Sequence, residues 1–158
     1  MKNVFLAFAL LIGGSAVAQS TGVGVGLNWS TPGLSVHQYF DDYNSAQLFV
    51  GGTYAEQLGT TSSVLYATGR YLYHFDSRSD FVPYAYGALS YMRSETDGGW
   101  IDISMTMYGI GGGAGIEWKN YDENFGVMID LGPTAVYDNN NFILGLSIMF
   151  GVHYYIEN

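Results

Sequence analysis

The stretch Phe142–Tyr154 constrains the fold more than any other part of the sequence. Every second residue, starting at Phe142, is large and apolar or aromatic, whereas the residues between them are mostly small or polar. A period of two is that of a β-strand and not of a helix. The stretch exceeds the roughly 5–6 residues of an ordinary strand and reaches the roughly 9–11 that a bilayer-crossing strand needs. We therefore interpret it as the closing strand of a transmembrane β-barrel, with one face toward lipid and the other toward the lumen.

Similar alternation recurs upstream and predicts seven further strands. The eight predicted strands are, in order, Val23–Ser30, Leu34–Phe40, Ala46–Ala55, Val64–Phe75, Phe81–Met92, Trp100–Trp118, Phe125–Val136 and Phe142–Tyr154. Polar segments at 56–63 and 93–99 are interpreted as loops. In the sixth strand the apolar face changes parity between Met107 and Tyr108, which indicates a bulge or extra length beyond the membrane. The fold class predicted is all-β: an eight-stranded, antiparallel, up-and-down transmembrane β-barrel, since eight is the smallest common even count.

The first eighteen residues have the organisation of a secretory signal peptide. Lys2 supplies a positive charge, Val4–Ile12 is an apolar run, and Ala16–Ala18 forms a small-residue cleavage signature. The run is too short for a membrane-spanning helix. We expect two segments, a signal peptide at 1–18 and the barrel domain at 19–158.

Composition agrees with a membrane barrel and excludes other classes. Charged residues make up 12% of the chain, against about 25% in soluble domains, while aromatics reach 16%. Many aromatics fall near the ends of predicted strands, as the two interfacial girdles of a membrane protein would. The chain has no Cys, which excludes a disulfide scaffold, and its net charge of −9 argues against a nucleic-acid partner.

Three stretches carry a resemblance to a known family: Phe81–Tyr91, Gly113–Trp118 and the terminal strand. In these the chain resembles the small outer-membrane β-barrel proteins of Gram-negative bacteria, the group that includes the transmembrane domain of outer-membrane protein A and outer-membrane protein X. The resemblance implies localisation in the outer membrane after signal-peptide cleavage, with outer-membrane lipid and lipopolysaccharide as surroundings. It also implies insertion by the barrel assembly machinery. Family members usually end on an aromatic residue, whereas here three residues follow Tyr155, so we expect an internal signal or tolerance of a short tail.

Arg70, Glu117 and Asp130 have the lumen-facing parity on the fourth, sixth and seventh predicted strands. An eight-stranded barrel is just wide enough for side chains to fill it, and buried charges there must pair. We predict that these three residues form a structural ion-pair cluster, with glycines on the first and sixth strands leaving room for Arg70. The alternative is a gate or proton path.

The three histidines, His37, His74 and His153, share the inward parity near one end of their strands, and Glu117 lies at a similar height. Three imidazoles and a carboxylate could bind a metal ion. The alternative, which we adopt, is that they are polar fillers near a wet mouth. We expect no metal and no cofactor.

No catalytic signature is present in the sequence. A lipid A deacylase of this size class needs a Ser two positions from a His on one strand, and Tyr39, Asp76 and Tyr155 occupy those positions instead. We therefore predict a non-enzymatic integral outer-membrane barrel with a side-chain-filled lumen and a structural or surface-contact role. Two alternatives remain open: a soluble, secreted lipocalin-like barrel that binds a small apolar ligand, and a lipid A-modifying enzyme.

Overall fold

The structure is a computed structural model that describes residues 19–57, 59–75, 79–98, 102–120, 124–138 and 141–157. The predicted signal peptide at 1–18 lies outside the described residues, and its cleavage stays a prediction. None of the described residues form a helix with the length and apolar character needed to cross a membrane.

The described chain forms eight antiparallel strands in a closed barrel. The strands are β1 (Ser20–Asn28), β2 (Thr31–Tyr39), β3 (Asn44–Gln57), β4 (Thr60–His74), β5 (Phe81–Asp97), β6 (Asp102–Asn120), β7 (Phe125–Asp138) and β8 (Asn141–Glu157). Each strand pairs with the next one in sequence, and β8 pairs back with β1. The predicted fold class is confirmed.

Two names identify the ends of the barrel. We call the end where β1 begins and β8 ends, at the Ser20–Glu157 pair, the terminal end. The opposite end, where the β1–β2 connection lies between Asn28 and Thr31, is the distal end. All heights in the lumen are given relative to these two ends.

Large apolar side chains cover the outer face, whereas the lumen holds most of the buried polar side chains together with a smaller set of apolar ones. Leu34 and Leu89 are each 67% exposed, and Leu144 is 74% exposed. The buried polar and charged residues are Asn28, Ser35, His37, Gln38, Ser45, Gln47, Thr68, Arg70, His74, Glu117, Asp130 and His153. Soluble proteins bury apolar residues and almost never bury charges unpaired, so this distribution is that of a protein surrounded by hydrocarbon.

Most of the described residues in two predicted loops belong to strands in the structure. Strands β3 and β4 continue to the pair Gln57–Thr60, and β5 and β6 continue to the pair Asp97–Asp102. These segments are polar on both faces, which is why the sequence pattern indicates loops. Their backbone groups nevertheless pair across the hairpin, so β3 to β6 extend beyond the apolar part of the barrel.

The bulge considered for the sixth strand is absent from the described β5–β6 ladder. The register runs without a slip from Phe81–Trp118 to Asp97–Asp102. Met107 faces inward and is 8% exposed, while Tyr108 faces outward. The parity change in the sequence therefore marks the point where β6 leaves the apolar band, which is the other alternative that the pattern allowed.

Exposed aromatic rings lie near both ends of the barrel. At the terminal end they are Tyr43, Tyr73, Phe75, Phe81, Trp118 and Tyr154, and at the distal end Trp29, Tyr54, Tyr108, Tyr137 and Phe142. Two other girdle candidates, Trp100 and Tyr121, lie outside the described residues. Tyr39 and Tyr155 are not in the girdle: they are 6% and 8% exposed, because their position in the alternation turns them into the lumen.

Glycines on the lumen face make room for tyrosine rings. A Cβ atom placed on Gly115 of β6 would lie 2.5 Å from Cζ of Tyr84. On β1, a Cβ atom on Gly22 would lie 2.5 Å from the ring of Tyr155. The glycine pattern predicts room for Arg70, whereas in the structure the aromatic side chains of Tyr84 and Tyr155 occupy this space.

Substituting Gly115→Ala should destabilise the barrel by roughly 1–3 kcal/mol, because the added methyl group overlaps both the Tyr84 ring and Cβ of Asp130. The matched control is Gly69→Ala on β4, where an added Cβ meets no atom within 4 Å. The measurement is the free energy of unfolding in urea of both variants, folded into the same lipid vesicles. Equal stability of the two variants would show that the Tyr84 ring does not need this space.

Candidate functional site

The lumen contains two polar layers that lie at different heights. We call the one built around Arg70 and Asp130 the arginine layer, and the one built around Glu117 and the three histidines the histidine layer. The histidine layer is nearer the terminal end, because Glu117 lies opposite Met128 on β7, whereas Asp130 lies opposite Gly115.

The arginine layer is held by an ion pair across the barrel. Nη2 of Arg70 lies 2.7 Å from Oδ2 of Asp130, and the two side chains are 2% and 1% exposed. Strands β4 and β7 are not neighbours in the sheet, so the pair bridges the lumen. Tyr84 donates a hydrogen bond of 2.8 Å to the same carboxylate oxygen of Asp130. Arg70 is long enough to make this connection, and each charge neutralises the other.

Further contacts hold the guanidinium group of Arg70 in place. Its Nη1 donates a hydrogen bond of 2.9 Å to Oε1 of Gln47, which lies opposite it on β3. Its central carbon lies 4.0 Å from the centre of the Tyr86 ring, in cation–π geometry. Burial of a charge is tolerated only when the charge is paired and hydrogen-bonded, and Arg70 meets both conditions.

Glu117 lies in the histidine layer and not beside Arg70. Its carboxylate accepts hydrogen bonds from the hydroxyl groups of Tyr39 and Tyr155, and Nζ of Lys119 lies 3.8 Å from it. The ammonium group of Lys119 also lies 3.8 Å from the centre of the Tyr39 ring. The structure thus joins two of the three residues predicted to form one cluster and gives the third its own partners. Strand parity places all three residues inside the barrel but does not state their heights.

The three histidines converge in the same layer. The ring of His37 lies 6.1 Å from that of His74 and 5.6 Å from that of His153, centre to centre. Ser45 Oγ lies 2.8 Å from Nε2 of His37 and 2.9 Å from Nε2 of His74. Ser35 Oγ lies 2.8 Å from Nε2 of His153. Ser45 therefore links the rings of His37 and His74. The ring of His153 has a separate serine partner, Ser35.

No group of three or more His, Cys, Asp or Glu side chains that could hold a metal ion occurs in the part of the chain that the structure describes. The nearest arrangement is the histidine layer, in which each Nε2 atom already lies within hydrogen-bond distance of a serine oxygen.

Sequence reasoning missed most of the neutral members of both layers. Besides the charged residues and histidines, the layers contain Ser35, Tyr39, Ser45, Gln47, Tyr84, Tyr86 and Tyr155. The signal that could have found them is polarity at an inward position of a strand, the same rule that singled out the charged residues. Tyrosine conceals that signal, because it is equally common at the interfacial girdles.

The free space in the described part of the lumen includes three cavities. A distal cavity of about 410 Å³ lies between Asn28, Tyr66 and the distal end. A space of about 10 Å³ separates it from Arg70 and Tyr86, which is about the room that one water molecule needs. A third cavity of about 90 Å³ lies at the terminal end beside Tyr39 and Tyr155. The two polar layers lie between the two larger cavities, and the larger of these occupies the distal part of the lumen.

Comparison with known proteins gives the class to which this fold belongs. No family model matches the sequence, and no curated protein matches it significantly. Among solved structures, the N-terminal β-barrel domain of Pseudomonas aeruginosa OprF is similar with a TM-score of 0.62 and 17% identity, over 88% of this chain and 98% of that one. Neisserial surface protein A is similar with a TM-score of 0.56 and 18% identity, over 85% and 92%. Ail, the attachment invasion locus protein of Yersinia pestis, is similar with a TM-score of 0.53 and 13% identity, over 87% and 95%.

These similarities define the class by its architecture. The chain has the fold of the small eight-stranded outer-membrane β-barrels. The resemblance found in the sequence is confirmed at the level of the fold. At identities of 13–18% the comparison extends to the fold alone.

Substituting Asp130→Ala should destabilise the barrel by about 3–5 kcal/mol, because Arg70 is left as an unpaired buried charge. The double variant Arg70→Met with Asp130→Leu should cost less, since it removes both charges and keeps apolar volume. The free energy of unfolding in urea, measured in lipid vesicles, distinguishes these cases.

The matched control for this prediction is Glu95→Ala, which breaks the ion pair between Arg93 and Glu95. That pair is exposed, at 51% and 50%, so its loss should cost about 0–1 kcal/mol. If Asp130→Ala were as mild as Glu95→Ala, the buried ion pair would not hold the arginine layer together.

Proposed function

We propose that the protein is an integral outer-membrane β-barrel without enzymatic activity, whose lumen is sealed by side chains and which has a structural or surface-contact role. The observation that carries the proposal is the outward apolar face. Exposed large apolar residues occur on all eight strands except β3, where Tyr54 is the exposed ring, and aromatic rings lie at both ends of this band. An apolar band with aromatic borders fits a bilayer and would be unstable in water.

The proposal includes an orientation and a set of partners. The terminal end would lie in the periplasm and the distal end outside the cell, next to lipopolysaccharide. The distal extensions of β5 and β6 carry Glu95, Asp97 and Asp102, so the surface that they offer is polar and acidic. Outer-membrane lipid would surround the apolar band, and the barrel assembly machinery would insert the chain. No nucleic-acid contact is part of the proposal, because the net charge is −9.

The packing of the lumen supports a sealed barrel and not an open channel. The histidine layer lies between the arginine layer and the terminal end. The space between the arginine layer and the distal cavity is only about 10 Å³. Open aqueous channels occur in barrels of about 16–18 strands, twice the number found here. The protein should therefore show no steady single-channel current in a planar lipid bilayer, and a steady open current would contradict the seal.

Burial of the serine hydroxyl groups supports the absence of enzymatic activity. The structure pairs Ser45 with His37 and His74, and Ser35 with His153, an arrangement that the sequence search for a nucleophile did not find. Ser45 and Ser35 are 0% and 2% exposed, however. A nucleophile must reach its substrate, and these hydroxyl groups lie inside the packed lumen.

The soluble lipocalin-like alternative is disfavoured by the distribution of side chains. A lipocalin-like barrel would hold its apolar residues inside, around a ligand, and present polar residues to water. Here Leu34, Leu89 and Leu144 point outward, while Arg70 and Asp130 are buried inside.

Substitution of Ile148 tests the proposed membrane position. Ile148 is 55% exposed on β8 and lies between the aromatic rings of Phe142 and Tyr154. Ile148→Lys should destabilise the folded barrel in lipid by more than about 1 kcal/mol and reduce its assembly, because it places a charge on the apolar outer face.

Ile103→Lys is the matched control for that test. Ile103 is 57% exposed, nearly the same as Ile148, but it lies on the distal extension of β6. Its substitution should cost about 0–1 kcal/mol, as expected for a position at or beyond the interface. Equal tolerance of Lys at the two positions would show that no bilayer surrounds Ile148 and would overturn the proposal.

A further inference from the structure

The distal cavity has the size and walls of a small-molecule site. Its volume of about 410 Å³ is within the roughly 300–1,000 Å³ range of ligand pockets. Its apolar walls include Val64, Met92, Met107, Val136 and Ile143, and none of the residues that line it carries a charge. A ligand for this cavity is therefore apolar over most of its surface and uncharged.

The floor of the cavity is a chain of hydrogen-bonded polar side chains. Nδ2 of Asn28 lies 3.3 Å from the hydroxyl of Tyr66, which donates a hydrogen bond of 3.1 Å to Ser90. Ser90 in turn donates a hydrogen bond of 3.1 Å to Thr68, whose hydroxyl donates to the backbone oxygen of Leu89. This chain fixes the orientation of the Asn28 amide group and separates the cavity from the arginine layer.

One atom of this floor has no partner. Oδ1 of Asn28 is buried and accepts no hydrogen bond from any described residue, and Asn28 as a whole is 4% exposed. Buried acceptors are normally satisfied, and leaving one unsatisfied costs free energy. Because Asn28 lines the cavity, a ligand that donates one hydrogen bond at this point would satisfy it.

An aromatic ring lies at the rim of the same cavity. Trp29, in the β1–β2 turn, has a φ angle of 57°, a left-handed conformation that is rare for a bulky residue. The backbone N–H group of Trp29 donates a hydrogen bond of 3.0 Å to the backbone oxygen of Ile148. A Cβ atom on Gly145 would lie 3.5 Å from Cη2 of Trp29, so the indole extends over the lumen face of β8. The turn thus holds a flat apolar surface beside the opening.

We propose that the distal cavity binds a small uncharged amphiphile, with a ring-sized apolar body and one hydroxyl or N–H group. The body would lie against Trp29, Met92 and Met107, and the hydroxyl or N–H group would donate to Oδ1 of Asn28. The inference goes beyond the proposed function, because it assigns a ligand site to the lumen and does not depend on which membrane holds the barrel. Because the arginine layer and the histidine layer lie between this cavity and the terminal end, a ligand would bind in the cavity and would not cross the barrel.

The methionines of the barrel allow a direct test. Met92 and Met107 line the cavity, whereas Met128 and Met149 are 0% and 1% exposed and lie among the packed residues of the lumen. The barrel is labelled with ¹³C-methyl methionine, folded in detergent micelles and titrated with 2-naphthol. The methyl signals of Met92 and Met107 should shift and saturate, while those of Met128 and Met149 should move little.

A second probe isolates the hydrogen bond to Asn28. 2-Methoxynaphthalene has a similar shape to 2-naphthol but has no donor, so it should bind about tenfold more weakly, the value of one buried hydrogen bond. In Asn28→Leu the two probes should bind equally. Val136→Phe should weaken both probes by filling the cavity, and Leu89→Phe, on the outer face, is the control that should bind like the unchanged protein.

The comparison of 2-naphthol with 2-methoxynaphthalene in the unchanged protein tests the proposed site even if a variant fails to fold. A preference for 2-naphthol that saturates at Met92 and Met107 supports the site. Shifts that grow linearly with probe concentration, equal shifts at Met92, Met107, Met128 and Met149, or equal affinity for the two probes would overturn the proposal.

Discussion

Closure of the sheet between β1 and β8 is the constraint on which the rest of the structure depends. The ladder from Ser20–Glu157 to Asn28–Met149 leaves neither strand with a free edge. In hydrocarbon every backbone N–H and C=O group must be paired within the protein, and only a closed barrel achieves that with strands. Closure also encloses a lumen that side chains must occupy. The outer face of each strand must then be apolar, whereas polar side chains on the inner face must pair with one another.

The interior meets this second demand with polar layers whose members pair with one another, next to a small apolar cluster. Arg70 and Asp130 neutralise each other across the barrel, while Tyr39 and Tyr155 satisfy the carboxylate of Glu117. A buried ion pair contributes little net stability compared with apolar packing, but it makes the loss of either partner costly. Oδ1 of Asn28, a buried acceptor with no partner among the described residues, lies on the distal cavity, where the packing ends.

Strand parity accounts for what the sequence could predict. The period of two identified the fold class, the strand count and the inward position of Arg70, Glu117, Asp130 and the histidines, since each follows from which face of a strand a residue occupies. Parity gives no height along the barrel axis. Heights depend on the stagger between strands, so the separation of Glu117 from Arg70 could not be predicted. The segments at 56–63 and 93–99 were wrongly predicted as loops for another reason. Beyond the apolar band a strand is polar on both faces, so its sequence lacks the alternation that identifies a strand.

We propose that this closed barrel is an integral protein of the outer membrane. Its extraction from fractionated membranes, followed by gel mobility with and without boiling, tests this position. We expect recovery in the outer-membrane fraction, release only by detergent, and a change in mobility when boiling unfolds the barrel. Recovery in the soluble periplasm without detergent would contradict it, because an outward face of Leu34, Leu89 and Leu144 would then have to be covered by something other than lipid.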